Sequence, residues 1–144
     1  MQELNRFFYP AGRAALGVLF LIAGINKIAG FDAVSGWMAA SGVPAAGLML
    51  VLTIVIEVAG GLMLILGLQA RLAALAIALF LIPVTLLFHA FWSADAASFQ
   101  NQLTQFLKNV AIFGGMLLVI ERESVRTAVG PAAALAYRSG PKIG

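Results

Sequence analysis

The chain has 144 residues, of which 62% are hydrophobic and only 10% are charged. A soluble domain carries about 45–50% apolar and about 25% charged residues, so this composition excludes an ordinary soluble domain and indicates a small polytopic membrane protein. The chain has no cysteine, which excludes disulfide chemistry and thiolate-bound iron–sulfur centres, and its single histidine excludes bis-histidine haem and a histidine-rich metal site.

The first transmembrane span is predicted at residues 11–29, after an aromatic N-terminal segment suited to the membrane–water boundary. At 100° per residue, one stripe of this helix holds both of its charges and both of its intramembrane glycines. The stripe consists of Arg13, Gly17, Phe20, Gly24 and Lys27. Because small residues let helices approach closely and charges avoid lipid, this stripe is predicted to face the other helices.

Residues 30–45 are predicted to form a connecting loop with a short interfacial helix, and the second span is predicted at residues 46–66. Glu57 lies near the middle of that span and is the only ionisable residue in it. A charged side chain at mid-membrane costs about 2.5–3.5 kcal/mol on insertion scales. Glu57 is therefore predicted to face the protein interior and to have a polar partner.

A tight turn at residues 67–71 leads into the third span, predicted at 72–92, which makes the second and third helices antiparallel neighbours. His89 lies near the end of that span. A polar loop at 93–102 precedes the fourth span, predicted at 103–120, where Lys108 lies on one stripe with Gln105 and Asn109 beside it. These spans make residues 1–121 a transmembrane domain and residues 122–144 a cytoplasmic tail.

The distribution of basic residues predicts the orientation. Lysine and arginine occur in the N-terminal segment, in the turn at 67–71 and in the C-terminal tail, whereas the loops at 30–45 and 93–102 contain none. Basic residues are retained on the cytoplasmic side. The expected fold is therefore an all-α, antiparallel four-helix transmembrane bundle with both termini in the cytoplasm.

Helical phase and depth predict a buried polar cluster of Glu57 with Arg13 or Lys108. Asn26, His89, Gln105 and Asn109 are expected around an outward-facing mouth. Simpler interpretations stay open: Lys27 could extend to the outer surface, His89 could be a boundary residue, and the acid and its partner could be a purely structural ion pair.

Together these residues resemble the DoxX family of small bacterial membrane proteins. The resemblance covers about residues 11–120, and the motifs that carry it lie on all four predicted spans. They are Gly12-Arg13, Gly17, Phe20, Gly24 and Lys27; Glu57-Val58-Ala59-Gly60-Gly61, Leu66-Gly67-Leu68 and Arg71; His89-Ala90-Phe91-Trp92; and Gln105-Phe106, Lys108-Asn109 and Gly114-Gly115. The resemblance implies a four-helix bundle in the bacterial inner membrane, and a link to quinone handling and oxidative stress.

We interpret the chain as a component of a quinone-linked oxidoreductase. Glu57 and His89 are the candidate catalytic residues, and the candidate ligand-binding residues are Arg13, Lys27, Gln105, Lys108 and Asn109. A quinone is the expected cofactor, with no metal or disulfide chemistry. The alternatives are a non-enzymatic module that binds a lipid-like ligand or scaffolds a partner, and, less favoured, a proton-coupled transporter.

The expected partners follow from the same features. The lipid bilayer is one partner, and a soluble or membrane redox protein and a second copy of the chain are left open. Nucleic acid is not expected, because the net charge of +3 comes from basic residues scattered around membrane segments.

Overall fold

Five α-helices and one 3-10 turn make up the described part of the chain. The computed structural model describes residues 2–128, with side chains for residues 7–127. In chain order the helices are α1 (Gln2–Ala29), α2 (Phe31–Ala40), α3 (Ala46–Leu66), α4 (Ala70–Phe88) and α5 (Phe99–Ala128), and the 3-10 turn, Phe91–Ser93, lies between α4 and α5. No strand occurs within these residues.

Four stretches of the described residues are long and apolar enough to cross a membrane: Phe7–Ala29, Ala46–Leu66, Ala70–Ser93 and Phe99–Thr127. Helices α1, α3, α4 and α5 provide them, so the predicted all-α bundle of four membrane-spanning helices is confirmed. The short helix expected between the first two spans is α2. Of the predicted cytoplasmic tail, residues 129–144 lie outside the described residues.

Two helices are longer than their predicted spans. Helix α1 begins at Gln2 and continues through Pro10. Helix α5 begins four residues before the predicted span, inside the expected loop, where the Oδ1 of Asp95 accepts hydrogen bonds from the Ser98 amide (2.8 Å) and hydroxyl (2.6 Å) just ahead of the first turn. Hydrogen bonds to the charged carboxylate hold the pKa of Asp95 below its usual value.

Helices α1 and α3 pack antiparallel along a stripe of glycines. A Cβ built on Gly17 would lie 2.6 Å from the Gly61 carbonyl oxygen, and one on Gly24 would lie 3.2 Å from the Glu57 Cβ. Gly17, Gly24 and Phe20 are buried. The stripe predicted for α1 therefore does face another helix, and its glycines set the distance between the two backbones.

The turn between α3 and α4 is short because Gly67 takes a left-handed conformation with φ 73°, which glycine adopts without strain. The Leu68 amide donates back to the Met63 carbonyl at 3.0 Å, ending α3 in a Schellman-type turn. Helix α4 then packs against both α3 and α5. Leu64, Ile77 and Met116, one from each of these helices, have no exposed surface and form the centre of the main core.

A second, smaller core lies where α2 packs against the start of α3. It contains Met38, Ala46 and Leu50, and Phe88 of α4 packs against it. The Trp37 and Phe88 ring centroids are 4.6 Å apart. The bundle thus has two distinguishable ends: α2 covers one, which we call the α2 end, and the start of α1 meets the finish of α5 at the other, which we call the termini end.

Candidate functional site

A buried ion pair joins α1 to α3 near the α2 end. The Lys27 Nζ donates a hydrogen bond to the Glu57 Oε1 at 2.9 Å. The Glu57 side chain is 6% exposed and that of Lys27 28%. Lys27 lies one helical turn beyond Gly24, whose missing side chain lets α1 approach α3 beside Glu57. The pair therefore follows from the close packing of the two backbones.

The sequence predicts a cluster of Glu57 with Arg13 or Lys108, whereas the ion-pair partner of Glu57 is Lys27. Lys108 does line one cavity together with Glu57, but Arg13 does not. Counting depth from the span boundaries gave Arg13 and Lys108 similar axial distances from Glu57, and left Lys27 free to extend to the surface. The glycine contacts bring α1 and α3 closer than that estimate allowed, so the side chain of Lys27 reaches the acid. Glu57 does face the protein interior and has a basic partner, as predicted.

A cavity of about 180 Å³ lies beside this pair, between α1, α4 and α5. We call it the ion-pair cavity. Its polar lining consists of Lys27, Glu57, His89, Lys108 and Asn109, and the rest of its wall is apolar, including Leu19, Phe20, Ala23, Leu81 and Ile112. The second carboxylate oxygen, Glu57 Oε2, is buried without a hydrogen-bond partner in the described part of the chain. The acid therefore keeps one acceptor that no donor among the described residues satisfies.

His89 enters the cavity wall from the end of α4. Its ring Nδ1 lies 3.2 Å from the Gln102 Oε1, and its backbone amide donates to the Thr85 carbonyl at 3.1 Å. In the neutral tautomer with its proton on Nδ1, the ring donates to the Gln102 amide oxygen and leaves Nε2 as an acceptor.

The α5 residues of the site differ in their surroundings. The Asn109 Nδ2 donates to the buried Thr85 hydroxyl at 3.1 Å. This hydrogen bond joins α5 to α4 about one helical turn before His89. Lys108 is more exposed and its Nζ donates to the Gln105 Oε1 at 2.9 Å. Gln105 itself does not line the ion-pair cavity and reaches it only through Lys108.

Arg13 lies away from the ion-pair cavity. Its guanidinium Nη1 is 3.6 Å from the Glu123 Oε1, and the Tyr9 hydroxyl donates to the same oxygen at 2.8 Å. Arg13 is fourteen residues before Lys27 on one helix, an axial distance of about 21 Å. The expectation that Arg13 joins the Glu57 cluster is therefore wrong, since it belongs to a second polar cluster at the termini end.

Comparison with known proteins identifies the family. The DoxX family model matches residues 10–90. The chain belongs to the DoxX family. It is also similar to the protein described as inner membrane protein YqjF of Escherichia coli (strain K12), with 35% identity over 119 residues, covering 83% of this chain and 86% of the relative. No solved structure matches.

This DoxX family member has four helices apolar enough to cross a membrane, and its relative is an inner membrane protein. It is therefore a multi-pass inner membrane protein. The family match covers α1 from Pro10 onward and all of α2, α3 and α4, and therefore includes Lys27, Glu57 and His89. Lys108 and Asn109 of α5 lie outside it. Among the described residues of this DoxX family member, no group of three or more histidine, aspartate or glutamate side chains is placed to hold a metal ion.

Gln102 and Glu123 are among the residues of this DoxX family member whose polar contacts the sequence does not predict. The sequence predicts a loop at Gln102, yet Gln102 lies in α5 and contacts His89. The sequence predicts that Glu123 belongs to the tail, yet Glu123 is buried in α5, where it accepts a hydrogen bond from Tyr9 and pairs with Arg13. The spacing of Asn109, Met116 and Val119 gave a usable signal for Glu123, because continuing that buried stripe by one helical turn reaches it.

Proposed function

We propose that this protein binds the head group of a lipid-soluble quinone or quinol in the ion-pair cavity and exchanges protons with it. The observation that carries the proposal is the buried Glu57, which has one oxygen without a partner among the described residues and lines a cavity together with several hydrogen-bond donors. An intramembrane acid of this kind is expensive to bury, so it is more often functional than incidental.

The residue types suit the two ends of a quinone. Its carbonyl oxygens accept hydrogen bonds, which Lys27 and Lys108 can donate. When a quinol is oxidised, it releases two protons and two electrons. The Glu57 carboxylate accepts one proton and His89 accepts the other, while the electrons pass to a redox partner. The chain therefore acts as one component of a quinone-linked oxidoreductase.

The apolar wall supports a ligand that arrives from the lipid. Leu19 and Ala23 of α1 and Ile112 of α5 form part of the cavity wall. Contacts between α1 and α5 are few, and those of Tyr9 and Arg13 with Glu123 are at the termini end. A molecule dissolved in the bilayer can thus enter sideways between α1 and α5, near the α2 end.

One observation favours the alternative function, a non-enzymatic module that binds a lipid-like ligand. The Lys27–Glu57 pair lies at the closest packing of α1 against α3, where an ion pair also fixes the register of two helices. In that case the pair would stabilise the bundle, and the cavity would hold a lipid without proton exchange.

A titration with matched carboxylate variants distinguishes the two functions. Purified protein in nanodiscs is titrated with a quinone, and we expect saturable binding that weakens at least tenfold in Glu57→Gln. The matched control is Glu123→Gln, a second buried acid that lies at the termini end. It should bind quinone as the wild type does. The absence of saturable binding, or equal binding in Glu57→Gln and wild type, would refute the proposal.

We further propose that both termini are cytoplasmic, so that the ion-pair cavity lies in the outer half of the bilayer. Arg71, Arg122 and Arg126 lie at the termini end together with Arg13. At the α2 end, helix α2 carries acidic Asp32, the connection between α4 and α5 carries Asp95, and the segments 30–45 and 93–102 contain no basic residue. This distribution agrees with retention of basic residues on the cytoplasmic side.

A further inference from the structure

The second polar cluster, at the termini end, carries an excess of positive charge among its described members. It consists of Tyr9, Arg13, Arg122, Glu123 and Arg126. The Oε1 of the buried Glu123 accepts the Tyr9 hydroxyl at 2.8 Å and lies 3.6 Å from the Arg13 Nη1. Its Oε2 lies 3.6 Å from the Arg126 Nη1. Three arginines therefore belong to a cluster that has one carboxylate.

Arg13 has more hydrogen-bond donors than this cluster satisfies. Its side chain is only 10% exposed, and its Nε is buried without a hydrogen-bond partner among the residues that the structure describes. The 3.6 Å from its Nη1 to Glu123 is too long for a hydrogen bond, and that oxygen already accepts one from Tyr9. A guanidinium has five N–H donors, and buried donors normally have partners. The cluster therefore lacks an acceptor.

Arg122 has no carboxylate partner in the described part of the chain. The carbon of its guanidinium group lies 5.9 Å from the centre of the Tyr9 ring, and that of Arg13 lies 5.8 Å from the same centre. One aromatic ring thus holds two guanidinium groups, and Arg122 is the exposed one. An aromatic ring attracts a cation without neutralising it. The two positive charges therefore stay available to an anion.

The cluster lies at a boundary of the membrane. Its α1 residues are in the first two turns of the span Phe7–Ala29, and its α5 residues are in the last two turns of the span Phe99–Thr127. The polar head groups of phospholipids lie at this depth. Phe8 and Val125, beside the cluster in the sequence, are 62% and 52% exposed. An anion that brings its own apolar chains therefore fits this position better than a free inorganic anion.

We propose that the second polar cluster binds the phosphate of an anionic phospholipid. The exposed Arg122 and Arg126 donate to the phosphate oxygens, and Arg13 adds its charge from the buried side. The phosphate supplies the acceptor that the cluster lacks, and the acyl chains cover the apolar residues beside it. A zwitterionic choline lipid would bring a cationic group close to the arginines, which disfavours it. This proposal is independent of the quinone site, which lies near the α2 end.

The test compares two exposed arginines at the same end of the bundle. Lipid binding is measured by native mass spectrometry of the purified protein in detergent, titrated with phosphatidylglycerol or phosphatidylcholine of the same acyl chains. Arg122→Gln changes the cluster, and Arg71→Gln is the matched control. Arg71 is exposed, and it has no ion pair or ring contact with any described residue. Both substitutions remove one positive charge from the termini end, so the contact with the cluster distinguishes them.

We expect the parent protein to bind phosphatidylglycerol about fivefold or more tightly than phosphatidylcholine, since one arginine near an anionic head group contributes about fivefold in affinity. Arg122→Gln should lose most of this preference, whereas Arg71→Gln should keep it. Arg126→Gln provides a second substitution within the cluster, should Arg122→Gln fail to fold as judged by circular dichroism.

Three outcomes would overturn the proposal. Equal binding of the two lipids by the parent protein would refute it. Equal losses in Arg71→Gln and Arg122→Gln would show that the whole basic end attracts the lipid and that the cluster is not a site. Inorganic phosphate is also added as a competitor, with ammonium acetate at the same ionic strength as its control. If phosphate alone displaces phosphatidylglycerol, the ligand is free phosphate and the assignment to a phospholipid is wrong.

Discussion

Gly17 of α1 and Gly61 of α3 lie so close that neither has room for a side chain. A Cβ on Gly17 would be 2.6 Å from the Gly61 carbonyl oxygen, and a Cβ on Gly61 would be 2.7 Å from the Gly17 carbonyl oxygen. Both obstructions are backbone atoms, which cannot move aside as a flexible side chain can. The position of Lys27 beside Glu57 depends on this contact, because it sets the separation of the two helices.

Gly17→Ala is therefore expected to destabilise the protein by about 1–3 kcal/mol, since the added methyl group forces α1 away from α3. The matched control is Gly114→Ala in α5, where an added Cβ meets nothing within 4 Å. Alanine is favoured over glycine in a helix by about 0.5–1 kcal/mol, so the control should be neutral or stabilising. Thermal unfolding in detergent checks both. Equal stability losses would show that the Gly17 contact is unimportant.

The ion pair itself makes a separate prediction. Lys27→Met leaves Glu57 buried without its partner, and breaking a buried pair in this way costs about 3–5 kcal/mol. Adding Glu57→Gln to Lys27→Met removes the isolated charge, so the second substitution should cost less than Glu57→Gln does in the wild type. A double-mutant cycle on the free energy of unfolding measures the difference. Additive effects of the two substitutions would contradict a direct interaction.

The residues facing inward on α1 could be predicted from the sequence. Helical period alone predicts Arg13, Gly17, Gly24 and Lys27 on one stripe. In the structure Gly17, Gly24 and Lys27 contact α3, and Arg13 pairs with Glu123 of α5. The partner of Glu57 could not be predicted in the same way. It depends on the axial offset and separation of two helices, and these are set by backbone contacts at glycines, which a depth count from the span boundaries does not contain.

The second polar cluster was missed for a different reason. The fourth span was expected to end at Ile120, because the sequence beyond it is charged. In the structure α5 continues, and Glu123 keeps the helical phase of the buried Met116 and Val119. Its carboxylate is stabilised by Arg13 and Tyr9, which are more than 100 residues away in the chain. Hydropathy indicates where contact with lipid ends. The helix itself continues beyond that point because its side chains still contact residues of α1.

Tyr9→Phe tests how strongly this second cluster holds α1 to α5. The substitution removes the hydroxyl that donates to Glu123 and keeps the ring on which the Arg13 and Arg122 guanidinium groups stack. Hydrogen bonds to a charged group contribute about 1.5–3 kcal/mol, so a stability loss in that range is expected. Quinone binding should stay unchanged, since Tyr9 does not line the ion-pair cavity. A tenfold loss of binding would show that the two clusters are coupled.

The orientation can be tested directly because the chain has no cysteine of its own. Single cysteines at Ser41 and Ser93 mark the α2 end, and one at Glu121 marks the termini end; all three positions are exposed. With both termini cytoplasmic, a membrane-impermeant maleimide added to spheroplasts should label the first two positions and leave the third unlabelled until the membrane is permeabilised. The reverse pattern would put the ion-pair cavity in the cytoplasmic half of the bilayer. Labelling at both ends in intact spheroplasts would contradict a single fixed orientation.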